Sequence, residues 1–305
     1  MLFPTGVFTV AAALVLTSLN SVLAASISET SLAARAVTVP SPAFVLYSDL
    51  FTPDPNILGD PSGFAGWNVI NLSFLTIAKG PFDQVLRWKN LPAATKKAVK
   101  AKYHAAGIRI VAAALGDTDT PTTSGIDPTE IGQQFGQFIL DNSLDGIDVD
   151  YEDLAAINKG DGKGEAWVVT FTQVLRSKLP KGQFILSHAP LAPWLAPNAQ
   201  FKAGAYVTVN KKVGSLIDYY NVQFYNQPSN NYGDCKSLLY TSLAPFTGSA
   251  LFQAPKHGFA LNKLVIGKPA IRPTARSAGT CPPPRSASPH ADSKWIKAAK
   301  GGAFA

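Results

Sequence analysis

The chain has 305 residues, 46% hydrophobic and 15% charged, with 17 Phe, 9 Tyr and 5 Trp, which suits one large or two small globular domains and excludes a wholly disordered chain. Two cysteines, Cys235 and Cys281, exclude a disulfide-dense scaffold, and four histidines without ligand spacing exclude a Cys/His zinc module. Of the net charge of +7, +6 falls in residues 268–305 and +1 in the rest, so there is no basic stripe of the kind a nucleic-acid face needs.

Residues 1–24 read as a secretory signal peptide. An apolar run from Val10 to Leu16 is followed by Val22-Leu23-Ala24, with small residues at the cleavage positions. The run breaks at Thr17-Ser18, too short to span a membrane. Residues 25–42, rich in Ser, Ala and Thr and ending Pro40-Ser41-Pro42, form a leader or linker. A secreted, extracellular protein with no membrane span is expected.

Residues 43–270 alternate between two kinds of segment. Seven short apolar, β-branched runs are strand candidates: 44–47, 68–75, 108–115, 144–152, 183–187, 219–225 and 264–267. Near-continuous apolarity means burial on both faces, as in a parallel sheet. Between them lie helix patterns. One runs from Ala93 to Ala106 and stops at Gly107. Another opens at Asp127-Pro128-Thr129-Glu130, with an N-cap Asp, Pro at the first helical position and a capping-box Glu. A third, from Glu165 to Lys178, carries Trp167, Phe171, Val174 and Leu175 on one stripe. Repeated strand–helix units over this length predict an α/β fold, a (β/α)8 TIM barrel. A doubly wound open sheet is the alternative, but there is no GxGxxG phosphate loop.

One stretch carries chemistry: Asp145-Gly146-Ile147-Asp148-Val149-Asp150-Tyr151-Glu152. Asp148, Asp150 and Glu152 share parity, so a strand turns all three to one face, which in a parallel barrel points inward. Like charges at close range cannot all ionise, and mutual repulsion is expected to raise at least one pKa. The trio then titrates as a coupled unit. Glu152, nearest the C-terminal end where barrel sites lie, is the expected general acid. A surface acidic loop or a calcium loop would not alternate strictly with Ile147 and Val149.

That octapeptide matches the DxxDxDxE motif, and the sequence here resembles glycoside hydrolase family 18, the chitinases and endo-β-N-acetylglucosaminidases. The segment Ile217 to Asn226 is similar to that family's sixth strand, and Ser187 to Trp194 resembles the fifth strand and loop of secreted fungal members. The resemblance covers residues 43–270 and implies substrate-assisted retention. The substrate's acetamido oxygen would attack its own anomeric carbon. Glu152 would protonate the leaving oxygen and then activate water. Asp150 would orient the acetamido nitrogen, and Asp148 would hold Asp150 and share its proton. Tyr225 would hydrogen-bond the acetamido carbonyl, with Gln223 and Asn226 beside it. Tyr47 matches an aromatic of the same sugar subsite, a core role being equally open. The substrate would be chitin, chitooligosaccharide or the N-glycan chitobiose core, cut by a monomer without metal or cofactor. A non-catalytic carbohydrate-binding barrel is the alternative from another class; retention of Glu152 favours the enzyme.

Some positions stand apart. Tyr220 reads as core. His188 and Trp194 are open between lining the cleft and being a core His and a surface Trp. Asn71-Leu72-Ser73 is a glycosylation sequon lying inside a predicted barrel strand, where it would not be used. Many chitinases end the third strand Ser-x-Gly-Gly, whereas here it reads Ala114-Leu115-Gly116-Asp117. The family's eighth-strand Trp, which floors the sugar site, has no counterpart, and Trp295 is not given that role. Residues 271–305 form an atypical Pro/Arg-rich tail with Pro273, Pro282, Pro283, Pro284 and Pro289 where a helix should form, so the eighth barrel unit is expected to be incomplete or aberrant. A frameshift or mis-called intron is the expectation there. Codons for Thr280 to Ser286 can be chosen that, one base out of frame, give Met-Ser-Pro-Ala-Thr-Leu, a string resembling the fungal relatives. A real tail with Cys281 paired to Cys235 is the alternative.

Overall fold

The computed structural model describes residues 37–49, 59–227 and 231–269. The expected signal peptide, most of the leader and the tail, with Cys281, lie outside the described residues. Cys235 is disulfide-bonded.

All seven strand candidates form strands. They are β1 (Val45–Ser48), β2 (Val69–Thr76), β4 (Arg109–Leu115), β5 (Gly146–Asp150), β6 (Ile185–His188), β7 (Tyr219–Gln223) and β8 (Leu264–Gly267), with a two-residue β3 (Gly80–Pro81) folded back antiparallel on β2. The seven are parallel, in the order β1-β2-β4-β5-β6-β7-β8, and curl into a nearly closed barrel. Helices α1 (Asp83–Lys89), α2 (Ala93–Ala105), α3 (Pro128–Asp141), α4 (Leu154–Lys159), α5 (Lys163–Lys178) and α6 (Ala205–Val213) lie in the connections. Among the described residues, no helix is long and apolar enough to cross a membrane.

Strand alternation divides two cores. Val45, Val69, Val111, Ile185, Tyr219 and Val265 pack together inside the barrel. Their neighbours Ile70, Ile110, Ile147, Leu186, Tyr220 and Leu264 point outward into the larger core beneath the helices. Both faces are therefore apolar, which is why the strands read as unbroken apolar runs.

At the start of α3 the Asp127 N-cap follows its sequence cue, its carboxylate accepting from the Thr129 N–H at 2.7 Å, whereas Glu130 accepts from Gln134 one turn on at 3.1 Å and closes no capping box. On α5, Trp167, Phe171 and Leu175 are buried, with the Trp167 and Phe171 rings stacked 4.8 Å apart. Gly132 of α3 lets α5 come close, since a Cβ there would stand 2.8 Å from Val174 Cγ1.

A buried ion pair that no local pattern announces ties α5 to the strand beginnings. Arg176 donates from Nη2 to Asp218 at 2.6 Å, from Nε to Leu216 O at 2.7 Å and from Nη1 to Phe184 O at 2.9 Å. Asp218 in turn accepts the Leu186 N–H at 2.9 Å.

Gly146 opens β5 at its closest approach to β6: a Cβ would lie 2.1 Å from the Ile185 carbonyl oxygen. Gly146→Ala must therefore push the two strands apart. A loss of about 1–3 kcal/mol or more is expected, the range for overpacking. A urea midpoint that falls at constant m-value is the readout.

Candidate active site

The two ends of the motif on β5 are fastened before its centre is reached. At the start, Asp145 accepts the Ile110 N–H at 2.9 Å, His104 Nε2 lies 2.8 Å away and Lys100 Nζ 2.7 Å. Burial alone would raise this carboxyl, but the His104 hydrogen bond and the Lys100 charge hold it below its ordinary value. At the far end, Asp153 is fully buried. It accepts the Thr123 N–H at 2.7 Å, the Thr123 hydroxyl at 2.6 Å and the Ala156 N–H at 3.1 Å. Tyr151 meets Thr122 Oγ1 at 2.8 Å and stacks on Trp167. Odd positions after 150 thus anchor outward to the 117–125 loop and α5. Even positions are left to face the barrel mouth.

Asp148 sits in a ring of donors from three strands. Its Oδ1 accepts from Ser187 Oγ at 2.5 Å and Asn221 Nδ2 at 2.8 Å, and its Oδ2 from the Tyr47 hydroxyl at 2.6 Å. Above it, Gln223 Nε2 reaches Asp150 Oδ1 at 2.8 Å, Glu152 Oε1 at 3.1 Å and Ala189 O at 2.9 Å. Asp150 and Glu152 share the Gln223 amide and sit close enough that the charge of Glu152 helps raise Asp150, so the two titrate as a coupled pair. Glu152 lies just past the last β5 residue, and it is partly exposed while Asp148 and Asp150 are buried.

All three carboxyls are raised. Burial is the main cause at each, opposed at Asp148 by the Ser187, Tyr47 and Asn221 bonds and at Glu152 by the Gln223 bond. Asp150 rises furthest above the ordinary range, through burial first and then the charges of Glu152 and Asp148. Mutual repulsion, the expected cause, comes second to loss of water. Asp117, in the turn after β4 where the third-strand motif departs, adds a further negative charge facing the pair.

Tyr225 and Asn226 follow the end of β7. Tyr225 is half-buried, and burial, followed by the charges of Asp150 and Glu152, pushes its phenol well up, so it stays a neutral donor. Asn226 is exposed and has φ of 60°. The structure thus gathers Tyr47, Asp148, Asp150, Glu152, Gln223 and Tyr225, while Asn226 turns outward. Ser187 and Asn221 also belong to the site; a lone Ser or Asn in an apolar strand carried no signal of it. Tyr220 is core, its hydroxyl 2.8 Å from Asn210 Oδ1. His188 is a core residue between Tyr206 at 3.1 Å and Thr172 at 3.3 Å, lowered to about 3 by burial and so neutral. Trp194 is neither on the surface nor in the cleft. It is buried, with its ring stacked on Tyr206.

Raised carboxyls make stability fall as pH rises. The folded chain keeps protons that the unfolded chain releases above about pH 4. Stability is therefore fullest below that pH and is lost as pH climbs through the folded values. Asp145, held low, works in the opposite sense and loses its contribution only in stronger acid. Asp150→Asn should thus raise the melting temperature relative to wild type at pH 7–8, with the gap closing near pH 4. Thermal melts across that range check it, and a gap independent of pH would contradict it.

No protein-family model and no curated protein matches the sequence. Solved structures are similar. A chitinase of glycoside hydrolase family 18 from Pseudoalteromonas aurantia superposes with a TM-score of 0.60 at 21% identity, covering 85% of this chain and 99% of that one. A family 18 chitinase from Chromobacterium violaceum gives 0.54 at 19% identity, covering 82% and 70%. A fungal endo-β-N-acetylglucosaminidase of the same family gives 0.52 at 18% identity, covering 78% and 80%. The fold of this chain is therefore the (β/α)8 barrel of the glycoside hydrolase family 18 structures.

Proposed function

We propose that this protein is a glycoside hydrolase that cleaves β-1,4 linkages of N-acetylglucosamine, with Glu152 as general acid and base. The observation that carries the reading is the grip of one Gln223 amide on both Asp150 and Glu152 at the mouth of β5, where burial raises both carboxyls. A proton held near the operating pH is what a leaving glycosidic oxygen needs. Glu152 gives that proton to the oxygen as the substrate's acetamido oxygen closes on the anomeric carbon. The product is a protein-bound oxazolinium and a free sugar hydroxyl. Water then opens the ring, its proton passing to Glu152. Asp150 faces the acetamido nitrogen, and Tyr225 donates to the carbonyl oxygen. No carboxylate nucleophile is required, as in other substrate-assisted glycosidases.

Chitin or chitooligosaccharide is the first substrate class. The likeness to a fungal endo-β-N-acetylglucosaminidase favours the N-glycan chitobiose core as the second. Sugar release from chitooligosaccharide and from a high-mannose glycopeptide, measured side by side, separates the two. Release from neither would sink the hydrolase reading and leave a carbohydrate-binding barrel. An N-acetylglucosamine thiazoline should inhibit competitively, because it copies the cyclic intermediate. Trapping a glycosyl ester on Asp148, Asp150 or Glu152 would instead show a covalent mechanism. Secretion as a monomer belongs to the same proposal, and recovery of the processed chain from culture medium tests it.

A further inference from the structure

The sequon Asn71-Leu72-Ser73 is not a surface acceptor. Leu72 points outward into the helix-side core, so the alternation turns Asn71 and Ser73 into the barrel, where both are fully buried. Asn71 lies in register with Tyr47, which donates to Asp148. Ser73 lies in register with Ala113, which is itself in register with Asp148. The short Ala113 side chain therefore stands between Ser73 and the carboxylate, with no bulk to fill the span.

Among the described residues, five buried side-chain atoms in this part of the barrel have no protein hydrogen-bond partner: Asn71 Nδ2, Asn71 Oδ1, Ser73 Oγ, Tyr219 Oη and Asn221 Oδ1. Leaving a buried polar atom unpaired costs as much as losing a hydrogen bond. The inward positions around these atoms, Val45, Val69, Val111, Ile185 and Val265, are apolar and offer them no partner. A buried water typically satisfies about three such atoms.

We propose that Asn71, Ser73 and the Asn221 carboxamide oxygen bind ordered water beneath Asp148, making Asn71 and Ser73 positioning residues for its carboxylate. The role assigned to Asp148 rests on the hydrolase reading above; the water site does not. Water held there donates to Asp148 alongside Tyr47, Ser187 and Asn221, and keeps its charged form available beneath the Asp150–Glu152 pair. The other titratable groups facing Asp148 are Asp150 on its own strand and the phenols of Tyr47, Tyr219 and Tyr225, with Tyr206 acting on it from the core outside the barrel. Burial keeps all four phenols neutral, so Asp150 alone titrates with it.

Two measurements decide the proposal, and neither needs activity. A crystal structure at atomic resolution should show water within hydrogen-bond distance of Asn71 and Ser73. Side chains paired directly with protein groups, with no water, would overturn it. In Asn71→Leu and in the gentler Ser73→Ala, the Asp148 carboxyl followed by carbon NMR should titrate at higher pH than in wild type. An unmoved midpoint in both variants would reduce the two residues to structural parts. If the wild type hydrolyses chitooligosaccharide, each variant should also lose turnover about tenfold, or about 1.4 kcal/mol, at unchanged KM. A lower melting temperature with kinetics and midpoint intact counts against the proposal.

Discussion

Glu152→Gln is expected to lower chitooligosaccharide hydrolysis about 10²–10⁴-fold, the usual contribution of a positioned general acid. The carboxamide keeps the shape and still meets Gln223, which lies 3.1 Å from Oε1, so the barrel should fold. It cannot release a proton to the leaving oxygen. Binding of a chitooligosaccharide, read by calorimetry, should survive, and the melting temperature should not fall. The basic limb of the wild-type rate profile should disappear with the acid. Burial raises Glu152, so activity should be full in mild acid and decline as the pH passes its folded value. Turnover by the variant at the wild-type rate would move the acid role to another residue.

The second large effect is on stability. Asp218→Ala leaves the Arg176 guanidinium buried without its partner, and breaking such a pair costs about 3–5 kcal/mol. Asp218 precedes β7 and lies at the opposite end of that strand from Gln223. The fraction that stays folded should therefore keep its turnover. Urea unfolding gives the first number and assays below the transition give the second. Replacing both partners by apolar residues, Arg176→Met with Asp218→Val, should recover much of the loss, because the cost lies in the unpaired charge. A single variant as stable as wild type would mean that the Leu216, Leu179 and Phe184 carbonyls around Arg176 hold it unaided.

How much of this was readable in advance depends on the range of the signal. Strand identity was local: two buried faces leave an apolar run, and every such run became a strand. The acid row was local too, since alternation with Ile147 and Val149 set its facing. Gln223 shared parity with Tyr225 on a strand already placed. Contacts set by the closure of the barrel were not readable. Ser187 and Asn221 reach Asp148 across 39 and 73 residues of sequence, and Arg176 meets Asp218 across 42. Nothing in a short window marks such pairs. Burial depth was misjudged at Trp194, because the stacking partner Tyr206 comes from another element. It was also misjudged at the acids, where charge counting suggested repulsion and the enclosure supplied desolvation.

The fastening of Tyr151 to Thr122 and of Asp153 to Thr123 divides the rim of the barrel into two unlike halves. On the β4–β5 side, the loop and the strand carrying the acids are one hydrogen-bonded piece, so an insertion there would displace Glu152 itself. On the β7–β8 side, residues 231–263 hold themselves together: Ser242 donates to Phe246 O at 2.8 Å, and Tyr232 meets Ser249 at 2.6 Å. Homologues that acquire new substrates should therefore differ in the length and content of the second half and keep the first nearly invariant. The chemistry is inherited through one side of the rim, and diversification is open only on the other.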